Sequence, residues 1–256
     1  MSFDADHRLL ALVGAVFALG GFVKGVIGLG LPTVTVGILG VFIAPAQAAA
    51  LLVVPSLVTN AWQFGGAGAG AWPLARRLAP MLAGVCAGVW AGSDWLAGAG
   101  AGSSWASAAL GVALVVYAAL GVARWHWSVR RAQEPWLGPC VGVATGLVTA
   151  ATGIFVIPAV PYLHALDLDK DALVRGLGLS FFVSTVALAL ALGAHGALPV
   201  ELATASLLAL GAALAGMSLG QRLRRRVAPE PFRLAFLMGL GALGLYLAGR
   251  AAANLS

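Results

Sequence analysis

The sequence predicts an all-α polytopic membrane protein made of two inverted-topology repeats, each with a broken, re-entrant helical hairpin and three transmembrane helices. Of its 256 residues, 61% are hydrophobic and 9% are charged, whereas about a quarter of a soluble domain is charged. Several apolar runs reach the roughly 20 residues that a helix needs to cross the hydrocarbon core. The 35 glycines suit close helix packing in lipid. Alternating segments of the kind found in β-barrels are absent from the sequence.

An internal repeat predicts the two halves. The chain aligns with itself at a nearly constant offset (146 − 21 = 125; 183 − 58 = 125), with a second set of glycines at 128. The aligned pairs are Gly21 with Gly146, Val23 with Val148, Gly28 with Gly153, Val58 with Val183, Gly88 with Gly216 and Gly92 with Gly220. We therefore predict a first repeat over 1–126, a basic cytoplasmic linker over 127–135 and a second repeat over 136–256.

Each half is predicted to contain one interrupted apolar segment followed by three long helices. The predicted ranges are 9–44, 46–64, 74–95 and 103–124 in the first half, and 136–166, 171–193, 200–222 and 232–250 in the second. Cys86 and Cys140 are predicted to be small buried hydrophobic residues. Trp125, Trp127 and Trp136 flank the linker, as expected of aromatic anchors at a membrane interface.

Three basic clusters predict the orientation of the halves: Arg76 with Arg77, Arg124 to Arg131, and Arg222 to Arg226. Positive residues in short loops normally face the cytoplasm. All three clusters face it only if each interrupted segment begins and ends on the same side of the membrane. A single span at each segment would place Arg222 to Arg226 outside. We therefore predict opposite orientations for the halves, as in many secondary transporters.

The two interruptions predict an anion site. They span Lys24 to Thr33 and Thr149 to Pro158, where glycine permits a turn and proline suits the first turn of a new helix. Helix starts attract anionic groups, and a lysine inside a membrane is a functional candidate. The candidate residues in these segments are Lys24, Gly28, Gly30, Thr33, Thr149, Thr152 and Gly153. Two alternatives stay open, since glycine and proline also serve packing and a lysine can extend to the interface.

Neutral polar residues on the second helix of each half extend the candidate site. They are Ser56, Thr59, Asn60 and Gln63 in the first half, and Ser180, Ser184 and Thr185 in the second. We select Asn60, Gln63, Ser180 and Ser184 as substrate-binding candidates. No acidic residue lies among them. The sequence shows no metal-ligand spacing and no catalytic motif, so we expect no cofactor, no metal and no enzyme. The basic residues lie at the ends of apolar runs, which argues against nucleic-acid binding.

The first interruption resembles the sulfite exporter TauE/SafE family. The resemblance rests on the segment from Gly21 to Gly30 followed by Pro32, on Pro45 and Ala46 at the start of the second helix, and on the glycines and proline of the second interruption. It implies export of a small sulfur-containing anion, such as sulfite, a sulfonate or sulfoacetate, across the bacterial cytoplasmic membrane. The second half departs from the first by having Thr149 in place of Lys24 and Phe155 in place of Gly30.

A secondary carrier for a small anion is therefore the leading hypothesis, and the lipid bilayer and that anion are its expected partners. A membrane scaffold or assembly subunit is the alternative, in which the interruptions serve packing. A cation permease is disfavoured because buried carboxylates and histidine clusters are absent from the sequence pattern. The sequence leaves open whether protons are coupled to transport and whether the chain forms a homo-oligomer.

Overall fold

The structure is a computed structural model that describes residues 7–65, 71–97, 104–123, 128–198, 202–224 and 229–254. Over these ranges the chain forms eleven α-helices and no β-strand. Six of the helices are long and apolar enough to cross a membrane. The predicted all-α polytopic membrane fold is therefore confirmed. In chain order the helices are α1 (His7–Ile27), α2 (Leu31–Leu39), α3 (Pro45–Gly65), α4 (Ala71–Ala91), α5 (Ser93–Ala97), α6 (Ser104–Val122), α7 (Glu134–Thr152), α8 (Ala159–Ala165), α9 (Lys170–Ala194), α10 (Ala203–Leu223) and α11 (Pro229–Ala253).

Both predicted interruptions are breaks between two helical arms. α1 ends at Ile27 and α2 begins at Leu31, because Gly28 and Gly30 adopt φ values of 83° and 117° that favour glycine. Lys24 itself remains in the last turn of α1, so the turn starts later than predicted. In the second half, Gly153 caps α7 with φ 74° and accommodates the reversal before α8.

The ends of the second broken segment meet at one arginine. Arg77 of α4 donates to both carboxylate oxygens of Glu134, at 2.8 and 2.7 Å. The same guanidinium donates to the carbonyl oxygen of Leu166 at 3.0 Å. Because Glu134 opens α7 and Leu166 follows α8, the segment begins and ends at the same end of the bundle.

The first broken segment also turns back on itself. A Cβ atom placed at Gly20 of α1 would lie 3.0 Å from a methyl group of Thr35 and 3.1 Å from one of Leu31. Both residues belong to α2, so this helix lies along the arm that precedes it. The arrangement is a helical hairpin rather than one continuous helix.

Helices of one half pack mainly against helices of the other half. α1 packs on α10 and α7 on α4, while α3 pairs with α9 and α6 with α11. Gln63 of α3 contacts Val174 of α9, and Ser56 contacts Thr185. Residue numbers fall along α3 as they rise along α9, so these two helices run in opposite directions. The inverted repeat as a whole stays a prediction.

Glycines allow the α1–α10 and α4–α7 pairs to approach to backbone contact. A Cβ atom at Gly21 would overlap the carbonyl oxygen of Ala213, and one at Gly216 would overlap that of Ala18. The prediction that glycines allow close helix packing is confirmed. The glycines at the two interfaces are Gly21, Gly25, Gly216 and Gly220 for α1–α10, and Gly84, Gly88, Gly142 and Gly146 for α4–α7.

The predicted burial of the cysteines is wrong, because Cys86 and Cys140 are both exposed. Each cysteine lies on a helix face that is directed away from the bundle. In a membrane such a face contacts lipid, and the weakly polar thiol is compatible with that environment. Trp136 is 59% exposed near the start of α7, as expected of an interfacial anchor. Trp125, Trp127, Arg124, Arg225 and Arg226 lie outside the described residues.

The glycine contacts predict a position-dependent effect of a single methyl group. We expect Gly216→Ala to lower the free energy of unfolding by about 1–3 kcal/mol, because the helices must separate to accommodate it. Gly239→Ala in α11 is the matched control, since a Cβ atom there meets nothing within 4 Å. Thermal unfolding in detergent measures both variants. Equal melting temperatures would contradict backbone contact at Gly216.

The inverted repeat predicts the sidedness of two engineered cysteines. In a background with Cys86 and Cys140 replaced by alanine, we expect Arg224→Cys to react with an impermeant thiol reagent only from the cytoplasmic side. Ser93→Cys is expected to react only from outside. Intact cells and inverted membrane vesicles give the two accessibilities. Reaction of both cysteines from the same side would refute the opposite orientation of the halves.

Candidate functional site

Lys24 is the centre of the candidate site. Its side chain is 5% exposed, and its ammonium group donates to the hydroxyl oxygen of Thr59 at 3.0 Å and to the amide oxygen of Asn60. In the part of the chain that the structure describes, Lys24 is the only charged residue that is buried. The side chain therefore points into the protein, not towards lipid headgroups as the alternative placement required.

A directed series of hydrogen bonds connects Lys24 to the other half. An ammonium group only donates, so the amide oxygen of Asn60 must face it. The amide nitrogen of Asn60 then donates to the hydroxyl of Ser56 at 2.8 Å. Ser56 in turn lies 3.0 Å from the hydroxyl oxygen of Thr185. Thr185 uses its single hydrogen on the carbonyl oxygen of Phe181 at 2.6 Å, so Ser56 is the donor to Thr185.

These hydrogen bonds leave the ammonium group of Lys24 with one hydrogen that it can still donate. An ammonium group has three hydrogens, and the contacts with Thr59 and Asn60 use two of them. The oxygen of Thr59 is itself held in place, because its hydroxyl donates to the carbonyl oxygen of Pro55 at 2.8 Å. Lys24 can therefore bind one further acceptor without breaking these bonds.

Gln63 joins the first turn to the second half. Its amide nitrogen donates to the carbonyl oxygens of Gly28, at 3.1 Å, and Val174, at 3.2 Å. Its amide oxygen is buried and has no hydrogen-bond partner. A Cβ atom at Gly28 would meet nothing within 4 Å, so there is open space beside this turn. The first break thus places open space at Gly28 near the buried, unpaired amide oxygen of Gln63.

The predicted serines of α9 are buried but lie on another face of that helix. Ser180 and Ser184 have hydroxyl groups without a partner. At 100° per residue they share a stripe with Ala187 and Ala191, which pack on Val85 and Val89 of α4. The stripe that contacts α3 contains Val174, Gly178 and Thr185. The two stripes are about a third of a turn apart, so the serines lie on a neighbouring face that is directed towards α4.

The other predicted hydroxyl groups are satisfied within their own segments. Thr33 donates to the carbonyl oxygen of Gly30 at 3.0 Å. Thr149 donates to that of Thr145 at 2.8 Å, and Thr152 to that of Val148 at 2.7 Å. These bonds fix the geometry of the turns. They show no contact with Lys24.

The structure therefore brings together Lys24, Asn60, Gln63 and Gly28, whereas no hydrogen bond among the described residues links Ser180, Ser184, Thr149 or Thr152 to Lys24. Three residues that the prediction noted but did not select complete the arrangement: Ser56, Thr59 and Thr185. The spacing of four residues between Ser56 and Asn60 could have identified that pair, because such residues share a helix face. The partnership with Thr185 depends on how two distant helices pack.

The second break differs from the first in the group that fills it. Phe155 is fully buried, and its ring lies 5.2 Å from that of Phe181. Gly30 occupies the corresponding place in the first half, where it begins α2. No group of three or more histidine, cysteine or acidic residues in the described ranges could hold a metal ion. The polar chemistry of the site is therefore that of one ammonium group with neutral donors and acceptors.

The directed hydrogen bonds predict that Thr185 contributes to stability through its hydroxyl. We expect Thr185→Val to lower the free energy of unfolding by about 1–3 kcal/mol, because the buried hydroxyl of Ser56 loses its acceptor. Thr185→Ser keeps the acceptor and is expected to retain stability. Thr145→Val is the matched control, since that hydroxyl donates only to a carbonyl of its own helix. Equal unfolding temperatures for the Thr185→Val and Thr145→Val variants would contradict the proposed direction of donation.

Comparison with known proteins agrees with the resemblance seen in the sequence. The family model described as "Sulfite exporter TauE/SafE" matches residues 12–247, which include both breaks and most or all of every long helix. No curated protein and no solved structure matches the chain significantly. Because the match covers most of the 256 residues, the chain belongs to the sulfite exporter TauE/SafE family of membrane transporters.

Proposed function

We propose that this protein is a secondary transporter that exports a small sulfur-containing anion of the sulfite or sulfonate class across the bacterial cytoplasmic membrane. Lys24 is the residue that binds the negative charge of the substrate. The observation that carries the proposal is the burial of this ammonium group among neutral partners. The family supports transport of an anion, and the site supplies the chemistry.

Electrostatics favours an anionic ligand at Lys24. A charge removed from water is costly unless an opposite charge or several hydrogen bonds compensate it. Thr59 and Asn60 provide dipoles, but no buried carboxylate stands among the described residues. An anion that enters the site supplies the missing charge and accepts the third hydrogen of Lys24. The same group would repel a cation, which argues against a cation permease.

The first break adds a helix start beside the lysine. Gly30 precedes α2 and approaches Val23, the chain neighbour of Lys24, so closely that a Cβ atom there would lie 2.7 Å from a methyl group of Val23. A helix start carries about half a positive charge. It therefore supports anion binding next to Lys24. α8 contributes less, because its seven residues make a shorter dipole. We propose that the two breaks face each other across the site.

The packing of α3 on α9 supports a site near the middle of the membrane. Ser56 and Thr185 meet near the centres of their helices, and Lys24 contacts α3 one turn further along. The repeat relates Val58 to Val183, which lie within three residues of this contact. A substrate bound there would be reachable from either side after a modest rearrangement of the halves.

Membrane energetics supports export. In a cell that is negative inside, outward movement of one anionic charge is favourable by about 2.3 kcal/mol per 100 mV. A separate proton-carrying carboxylate is therefore not needed to drive export. Proton coupling would have to involve the substrate or Lys24. A scaffold without transport activity remains the alternative function, and the following experiment separates it from the transporter.

Removal of the charge at Lys24 is expected to abolish most anion flux. In proteoliposomes, Lys24→Met should reduce sulfite and methanesulfonate flux by at least about tenfold, since hydrogen bonds to charged groups contribute about 1.5–3 kcal/mol. Lys170→Met is the control, because Lys170 is an exposed residue at the start of α9. Asn60→Asp should have a similar effect to Lys24→Met, since a carboxylate there would neutralise the lysine from within the protein.

The outcomes distinguish the two functions. Flux that falls in the Lys24→Met and Asn60→Asp variants but not in Lys170→Met supports anion transport through this site. Full flux in Lys24→Met would remove the lysine from the site. Failure of the wild-type protein to move any anion across a vesicle under an imposed potential would support the scaffold.

A further inference from the structure

Among the described residues, the first half contains a buried charged side chain and the second half does not. Lys24 contributes one positive charge to the first half. The repeat places Thr149 at the corresponding position of the second half (24 + 125 = 149). Thr149 is fully buried, and its hydroxyl donates to the carbonyl oxygen of Thr145 in its own helix. One half thus supplies a charge where the other supplies none.

The second half nevertheless retains the group that would receive such a charge. The repeat relates Thr59, which accepts a hydrogen bond from Lys24, to Ser184 (59 + 125 = 184). Ser184 is buried, and its hydroxyl has no partner. The repeat makes Ser184 the expected acceptor for a long basic side chain at position 149.

We infer that the single ammonium group selects singly charged oxyanions and discriminates against dianions, because one buried lysine compensates one negative charge. This inference rests on the proposed function and specifies its substrate class. A monoanion bound at Lys24 gives a neutral complex. A dianion leaves one negative charge uncompensated in a medium of low dielectric constant, which is costly. The neutral partners of Lys24, Thr59 and Asn60, supply dipoles but no second charge.

The preferred substrates are accordingly hydrogensulfite and monosulfonates. Both carry one negative charge on a group of oxygens that can accept a hydrogen bond from Lys24. Sulfate and sulfoacetate carry two negative charges at neutral pH and are disfavoured. Charge number rather than sulfur oxidation state is the criterion, so sulfate and methanesulfonate form an informative pair.

The first measurement uses the wild-type protein in proteoliposomes at neutral pH. Uptake of methanesulfonate and sulfate is compared at equal concentration and with the membrane potential clamped at zero, so that the potential does not favour either anion. We expect methanesulfonate flux to exceed sulfate flux by at least about tenfold, a difference of about 1.4 kcal/mol. Comparable flux of the two anions would overturn the inference while leaving the proposed function intact. Absence of any anion flux would overturn both.

The second measurement adds a charge to the neutral half-site. Thr149→Lys adds an ammonium group at the position that the repeat relates to Lys24, so the ratio of sulfate to methanesulfonate flux should rise by at least about tenfold. Asn254→Lys is the control for added charge, since Asn254 is exposed at the end of the chain, and its ratio should equal that of the wild type. An unchanged ratio in a folded Thr149→Lys variant would overturn the inference. If that variant does not fold, the wild-type ratio alone decides.

Discussion

The contact between α1 and α10 positions the rest of the candidate site. Gly21 and Gly25 bring the backbone of α1 against α10, and Lys24 lies between them in the sequence. With the two glycines facing α10, the side chain of Lys24 turns towards α3. In lipid no difference in hydrophobicity drives helices together, so this close packing must hold the arm in place. The location of the buried charge therefore depends on residues that have no side chain.

The polar series from Lys24 to Thr185 links that charge to the interface between the halves. Each of its hydrogen bonds has a defined donor and acceptor, from the ammonium group through Asn60 and Ser56 to Thr185. A ligand that binds Lys24 is therefore connected through hydrogen bonds to both α3 and α9. The ion pair of Arg77 with Glu134 joins the halves at a different place, where the second broken segment begins. The halves are thus joined by two separate sets of polar contacts, and one of them contains Lys24.

The fold was predictable from the sequence to a greater extent than the site. Every predicted helical segment has a counterpart in the structure, because long apolar runs and glycine breaks are local signals. Lys24 is buried and pairs with Asn60, and both residues were among the candidates taken from the sequence. Ser180 and Ser184 were correctly expected on the second helix of the second half, which is α9. Their position around the helix axis, however, directs them towards α4. The cysteines were misjudged because an apolar run does not distinguish a lipid-facing residue from a buried one.

By itself the sequence determined the membrane fold, the positions of the two breaks and the presence of one lysine without a counterpart at Thr149. These properties follow from composition, local residue types and spacing along the chain. The tertiary structure decided which polar groups share a space: it joined Asn60 and Ser56 to Thr185 and left Ser184 without a partner. The reason is physical, since hydrogen bonds across helices require a particular rotation and register. Both are set by packing between segments that lie more than a hundred residues apart.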